Sequence, residues 1–388
     1  MKVVFVFFTA PPSPFSSSVA ALAPVVRAAG HEPEARMVER TEAIEPVVRD
    51  LLARDADVIA VSSMTRDWPG ARALLERLAP HTKAIRVVGG YHASLAPRDV
   101  AASAAVDAIV IGEGERPLVR LLEQLGAGAP LQSGPGLWVR KGDRFDGAIP
   151  GADSEPDIAD LPWWDYDLFG DMRAHLDRGV NTFGPIADRY LPVRASRGCP
   201  YSCAYCSAPA WGKLGGFAEK ERRNRRPVDH LCAELESLVA AYDPEGFEFW
   251  DEHFPLDLEW LREFARTYPA RVGRPFKVEM HPRAATRERL ELLAEAGIAL
   301  FHCGVEAGDA ELRRTVLNRR TTDELLQRVF EDCRDLGIPT SASLMTTLPK
   351  ESRAMAHSTV GLLRKLKPDS FMWSTTRRCR ARCWAKQP

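Results

Sequence analysis

The chain opens on a nearly unbroken apolar run, Val3–Phe8, and comparable short runs recur at Glu34–Val38, Val58–Ser62, Ala84–Val88 and Ala108–Ile111. Runs of this length, rich in Val, Ile and Phe and bounded by polar or small residues, predict buried strands. Between them apolar residues fall three and four apart over Val19–Ala29, Ile44–Arg54, Gly70–Leu78 and Glu115–Leu125, the spacing of amphipathic helices. A further short helix fits residues 97–105. Strand and helix in alternation predict a doubly wound, Rossmann-like α/β sheet, all parallel and covered on both faces. Ligands of such sheets sit outside the carboxyl ends of the strands, near the topological switch point.

The pattern breaks over residues 129–190. Gly134, Pro135, Gly136, Pro150, Gly151, Pro156 and Pro162 punctuate it. Leu137–Val139 and Arg144–Phe145 read as a small hairpin about Gly142-Asp143. The stretch LPWWDYDLF follows, with Trp163 and Trp164 as packing anchors. Residues 1–140 are taken as the first domain and 141–189 as a linker. Alternation resumes at 190, with strands expected at Leu191–Ala195, Gly246–Trp250, Phe276–Met280, Leu300–Val305, Thr340–Thr346 and Ser370–Ser374. Helices are expected at Val228–Ala241, Leu258–Arg266, Arg287–Glu295, Thr322–Leu336 and Ser352–Leu366. Six such units over 190–376 predict a second parallel sheet, open or barrel-like.

Composition narrows the function classes. The 388 residues are 45% hydrophobic and 27% charged, an ordinary globular mix, and 52 Lys+Arg against 53 Asp+Glu leave a net charge of −1. No global field draws the chain to nucleic acid, and the basic run 219–226 reads as a solvated face. No apolar run approaches a bilayer span. MKVVFVFFTA has the look of a secretory leader, but a buried first strand accounts for it better, and a cytoplasmic setting is expected.

Eight cysteines in so long a chain are no disulfide scaffold, and their distribution is uneven. Cys199, Cys203 and Cys206 form a C-x3-C-x2-C cluster directly after a predicted strand. Thiolates are soft ligands that suit iron–sulfur clusters or zinc. Three on one loop can hold three corners of a cubane and leave one iron open to substrate. A zinc knot completed by Cys232 or a histidine is the alternative. Cys232, Cys303 and Cys333 fall in helix or strand patterns and read as small core residues.

The segment Arg197-Gly198-Cys199-Pro200-Tyr201-Ser202-Cys203-Ala204-Tyr205-Cys206 resembles the cluster motif of the radical S-adenosylmethionine (SAM) superfamily, including aromatic Tyr205 before the third cysteine. The resemblance implies a partial (β/α)6 barrel, a 4Fe–4S cluster on the three cysteines, and SAM on the open iron. Other strand ends are similar to the family in order: Trp250-Asp251-Glu252-His253-Phe254, then Cys303-Gly304-Val305-Glu306-Ala307-Gly308, then Asn318-Arg319-Arg320-Thr321-Thr322, where Lys is usual at 319. Thr347-Leu348-Pro349-Lys350-Glu351-Ser352 resembles Gly-Leu-Pro-Gly-Glu-Thr, with Thr347 and Lys350 in place of glycines. The resemblance therefore casts Tyr205, Asp251, Glu252, Glu306 and Glu351 as SAM-binding. Singly, the acids also read as caps of the following helices.

The first domain resembles the cobalamin-binding domain that precedes many radical SAM barrels. Ser62, Ser63 and Met64 after the third strand, Gly89, Gly90 and His92 after the fourth, and Gly112-Glu113-Gly114 after the fifth are its implied cobalamin contacts. The loop TAPPSPFSSS lacks the Asp-x-His-x-x-Gly element that donates a histidine to cobalt. His31 reads as a structural or exposed residue.

The resemblance implies reductive cleavage of SAM and a cobalamin-dependent methyl transfer to an unactivated carbon or phosphorus of a small molecule or peptide. A flavodoxin or ferredoxin would supply the electron. Two alternatives stay open: a cyclisation or rearrangement without cobalamin turnover, and a truncated relative that binds without catalysis. The last residues, 377–388, read as an irregular tail, with Cys379-x3-Cys383 a poor two-thiolate site. One synonymous spelling of Arg377–Trp384, read two bases out of frame, gives Pro-Leu-Pro-Gly-Thr-Leu-Leu, close to the family's element there. A frameshift near Thr376 is expected on that ground, leaving a truncated chain that is poorly active.

Overall fold

The computed structural model describes residues 1–9, 15–150, 156–177, 189–215 and 224–375. The tail 377–388, most of the basic run 219–226 and part of the loop after the first strand lie outside them. The chain divides into two compact units, one of residues 1–172 with 210–216, the other of 173–209 with 217–388.

The first unit is built on a seven-stranded sheet of order β2-β1-β3-β4-β5-β6-β7. Its strands are β1 (Lys2–Thr9), β2 (Glu32–Glu39), β3 (Val58–Ser62), β4 (Ile85–Gly89), β5 (Ala108–Val110), β6 (Leu137–Lys141) and β7 (Arg144–Asp146). The first five run parallel. Alternate residues of each strand enter different cores. Val4, Val6, Ile59, Val61 and Val88 pack with Val47, Leu51, Leu74 and Leu78 of helices Ile44–Ala53 and Trp68–Leu78. Val3, Phe5, Val58, Ala60 and Val87 pack with Val19, Val26, Leu118 and Leu122 of helices Ser17–Ala28 and Glu115–Gly126. Burial on both faces is why β1, β3 and β5 are largely apolar rather than alternating. The order 2-1-3-4-5 places the switch point between β1 and β3.

The hairpin at 137–146 belongs to this sheet. β6 pairs antiparallel with β5, and β7 with β6, while Leu137 and Val139 join the core. The stretch assigned to a linker, 141–189, is therefore divided: residues up to 172 fall in the first unit and Arg173 onward in the second. Trp163 is 40% exposed. Buried Tyr166 is stacked on Phe15 at 5.4 Å, with Trp164 tilted against the same ring.

The second unit is a partial (β/α)6 barrel: six parallel strands in chain order, β8 (Tyr190–Val193), β9 (Gly246–Phe249), β10 (Phe276–Met280), β11 (Ile298–Glu306), β12 (Thr340–Thr346) and β13 (Ser370–Thr375). Side-chain caps start its helices. Asp257 accepts from the amides of Glu259 and Trp260, Thr286 from Arg289, Thr322 from Leu325, and Ser352 from Met355. Phe249, Phe254, Trp260, Phe264, Tyr268 and Phe276 form one edge-to-face and stacked aromatic cluster. Phe254 is fully buried in it, so the loop after β9 is anchored by its aromatic residue. Arg226, the last of the basic run, is no solvated residue: it is buried against Glu234.

Candidate functional site

The cysteine loop leaves the carboxyl end of β8. Cys199 and Cys206 are half-buried, Cys203 is buried, and all three are free thiols. Burial pushes the Cys199 thiol up to about 12, and Cys206 and Cys203 push it the same way. Among the described residues no three His, Cys, Asp or Glu side chains converge on a point that would chelate one ion. Three thiolates on one loop fit a cubane, in which each binds a separate iron.

Asp251, expected at SAM, lies beneath this loop. Its Oδ2 accepts from the Ala195 amide at 3.1 Å and its Oδ1 from the Ser196 hydroxyl. Burial pushes its carboxyl up to about 7, although these donors pull it down. Glu252 Oε2 accepts from the Gly198 amide at 3.1 Å, with Arg194 3.5 Å from Oε1. The acidic pair thus clamps the start of the cluster loop. A ring stack holds the loop's next turn: Tyr201 lies on His281 at 3.8 Å, and His253 accepts from the His281 amide through Nε2. Its Nδ1 lies 2.7 Å from the Phe254 carbonyl, which makes Nδ1 the protonated nitrogen.

The third cysteine's neighbour reaches across the barrel. Tyr205 donates its hydroxyl to Glu306 Oε1 at 2.8 Å and accepts from Arg319 Nη1 at 2.8 Å. Glu306 ends β11 in the left-handed region, at φ 70°, and is 7% exposed. Burial raises its carboxyl, while Arg319 and the Tyr205 hydroxyl pull it down. Glu279, on β10, was not singled out from the sequence. Burial, aggravated by Glu306 and Glu252, pushes its carboxyl up to about 7. Only an acid in a strand pattern marks it, and such acids are common.

Glu351 accepts from the Leu348 amide at 3.1 Å through Oε2. Its Oε1 is buried with no hydrogen-bond partner among the described residues, an acceptor still available to a ligand. Thr347 and Lys350, which stand where the family has glycine, both adopt positive φ, 61° and 64°. The loop therefore keeps a glycine-type backbone and carries side chains on it.

In the first unit the expected cobalamin contacts separate into two groups. Ser62, at the end of β3, bonds Ser18 across the switch point, hydroxyl to hydroxyl at 3.0 Å. Ser18 was missed, because nothing in a run of three serines marks one. Met64 is 46% exposed at the same strand end, and a Cβ on Gly89 would make only ordinary contact with Val110. These residues leave an accessible, partly apolar edge that fits a nucleotide tail. The others also make contacts within the fold. Gly90 sits at φ 87°, where a Cβ would meet the Ser63 backbone at 3.0 Å. Ser63 is buried and donates to the Met64 carbonyl. His92 is buried, stacked on Trp68 at 5.3 Å, with Thr65 and Asp99 at its nitrogens. A Cβ on Gly112 would strike Pro150 and one on Gly114 would meet Leu22, while Glu113 accepts from Trp211 Nε1 at 3.1 Å.

A doubly wound first unit, a partial barrel and three free thiols at the barrel's strand ends define a radical SAM protein. Residues 193–363 match the Radical SAM superfamily and residues 5–122 the B12 binding domain. The chain belongs to the radical SAM superfamily, in the group that carries an amino-terminal B12-binding domain. The cofactors of that group are a 4Fe–4S cluster, SAM and cobalamin. The anaerobic magnesium-protoporphyrin IX monomethyl ester cyclase of Cereibacter sphaeroides is 26% identical over 347 residues, 85% of this chain and 53% of its own. The cytidylyl-2-hydroxyethylphosphonate methyltransferase of Streptomyces wedmorensis is 22% identical over 335 residues, 79% of this chain and 60% of its own. The chain thus spans little more than half the length of these curated relatives. The radical SAM methyltransferase TsrM of Kitasatospora setae, solved with cobalamin and a 4Fe–4S cluster, superposes with a TM-score of 0.76 at 19% identity, over 97% of this chain and 75% of that one. Among the described residues no helix is long and apolar enough to cross a membrane.

Proposed function

We propose that this chain is a cobalamin-dependent radical SAM methyltransferase acting on an unactivated carbon or phosphorus of a small molecule or peptide. The observation that carries the reading is the pairing, in one chain, of a B12-binding match over 5–122 with a thiol-bearing radical SAM match over 193–363. The bound cofactors would supply one-electron cleavage of SAM and a methyl carrier.

The chain's own residues would hold and shield that chemistry. Cys199, Cys203 and Cys206 take three irons, and Asp251 and Glu252 fix the loop that presents them. Glu306, Glu279 and the open oxygen of Glu351 are acceptors for the ammonium and hydroxyl groups of SAM. In the first unit Ser62, Met64 and Gly89 line the strand ends where cobalamin would lie. The reducing electron comes from a flavodoxin- or ferredoxin-type donor, in a cytoplasmic setting that keeps the thiols reduced.

Anaerobic reconstitution should give about four irons per chain, with neither iron nor SAM cleavage in Cys203→Ala. Methyl transfer leaves S-adenosylhomocysteine from SAM. A similarity to a cyclase over 85% of the chain favours a second reading, in which hydrogen abstraction leaves 5′-deoxyadenosine and no S-adenosylhomocysteine. Mass spectrometry of the SAM-derived products decides between them.

A further inference from the structure

We propose that Arg319 raises the reduction potential of the cluster by donating a charged hydrogen bond to the Cys203 sulfur. The proposal rests on the cluster reading above. The guanidinium is 6% exposed and lies among three acceptors: Nη2 donates to the Gly304 carbonyl at 2.6 Å, and Nη1 to the Tyr205 hydroxyl at 2.8 Å and to Cys203 Sγ at 3.6 Å. Its Nε is buried with no hydrogen-bond partner among the described residues.

The segment that carries it is fastened to the cysteine loop. The Ala204 amide donates to the Leu317 carbonyl at 2.8 Å, and Asn318 Nδ2 donates to the Ser202 carbonyl at 2.8 Å. Asn318 itself sits at φ 50°, a conformation asparagine tolerates better than most residues. Residues 317–319 therefore form a strap over 202–205, and the guanidinium is placed against Cys203 by backbone as well as side-chain bonds.

Reduction adds negative charge to the cluster and its sulfur ligands. A cationic donor at a ligand sulfur stabilises the reduced form, and hydrogen bonds to sulfur and local net charge are two of the protein's levers on cluster potential. The lever is needed here because Glu306 lies 3.9 Å from the guanidinium, and a carboxylate there opposes reduction. Arginine is suited to the place. Its planar fork reaches carbonyl, hydroxyl and sulfur together, whereas a lysine ammonium is a single point of charge.

The test is an EPR-monitored redox titration of the reconstituted full chain without SAM, so that the readout is the cluster's midpoint and not turnover. Wild-type protein that fails to take up about four irons refutes the cluster reading itself. With wild type loaded, Arg319→Gln is expected to shift the reduced-to-oxidised ratio at least tenfold toward oxidised, a midpoint lower by about 59 mV. Arg319→Lys, which keeps the charge and loses the fork, is expected to fall between the two. Tyr205→Phe, which leaves the guanidinium on the sulfur, is expected to shift the ratio less than about threefold, a change of under about 30 mV. A loaded Arg319→Gln with the wild-type midpoint overturns the proposal, as does an equal shift in Tyr205→Phe. Should the Gln variant not load, a wild-type midpoint in Arg319→Lys overturns it, and failure of both to load does so in favour of a purely structural arginine.

Discussion

Arg313 is among the largest completely buried side chains of the described residues, and replacing it tests how the strap is held. Nε donates to the Thr321 carbonyl at 3.0 Å, Nη1 to the Ala307 carbonyl at 2.7 Å, and Nη2 pairs with Asp323. One guanidinium thus closes the chain segment 307–323 on itself, with Asn318 and Arg319 inside the closure. Arg313→Met keeps most of the apolar stem and removes every donor. Two buried carbonyls lose their partner, at about 1–3 kcal/mol each. Asp323 adds little, since its side chain is 35% exposed and regains water. The expected loss is about 3–5 kcal/mol, in line with removing one partner from a buried charged network. For a unit of this size that corresponds to roughly 6–20 °C at about 2–4 °C per kcal/mol. Differential scanning calorimetry should show the loss in the transition of the barrel unit, with that of the first unit unmoved. Arg313→Met melting within about 4 °C of wild type would refute the reasoning, because the carbonyls would then have found other donors.

Three further outcomes follow from particular residues. Asp251 has its folded pKa above its unfolded one, so the native state holds the extra proton, and wild-type stability falls as pH rises from about 4 toward 7. Asp251→Asn lacks that proton, so urea titrations should show its stability relative to wild type improving over this window by up to about 1.4 kcal/mol per pH unit, and a pH-independent difference excludes the cause given. Lys350→Gly relieves a left-handed residue worth about 1–2 kcal/mol against about 0.5–1 for glycine's greater chain entropy, so thermal melts should rise slightly; Thr347→Gly should gain less, because its hydroxyl bonds the Thr346 carbonyl, and a lower melting temperature for Lys350→Gly contradicts the strain. Gly89→Trp should weaken hydroxocobalamin binding at least tenfold by isothermal titration with the circular dichroism unchanged, since an added Cβ there meets only ordinary contact; undiminished binding would move cobalamin away from this strand end.

Alternation of short strand-like runs with helical spacing was enough to place the parallel strands of both sheets, most plainly where burial on both faces leaves a continuous apolar run, as in β1 and β3. The cysteine motif was equally legible as a motif, since its three thiols lie on one loop and their spacing is local. What the sequence did not carry was the use of residues that meet only in space. The bonds of Asp251 and Glu252 to Ala195, Ser196 and Gly198 depend on how β8 and β9 pair, which no local pattern states. The stack of His92 on Trp68 likewise depends on where the helix Trp68–Leu78 lies. The hairpin at 137–146 was visible as a hairpin, but only the unpaired edge of β5 made it part of the first sheet. Arg319 stands 116 residues from Cys203, and no spacing rule links a strap to the thiol it covers. Local conformation and ligand type are written in consecutive residues. Whether a buried polar group serves the fold or a ligand depends on which donors and acceptors the folded chain brings within about 3 Å of it, and only tertiary structure decides that.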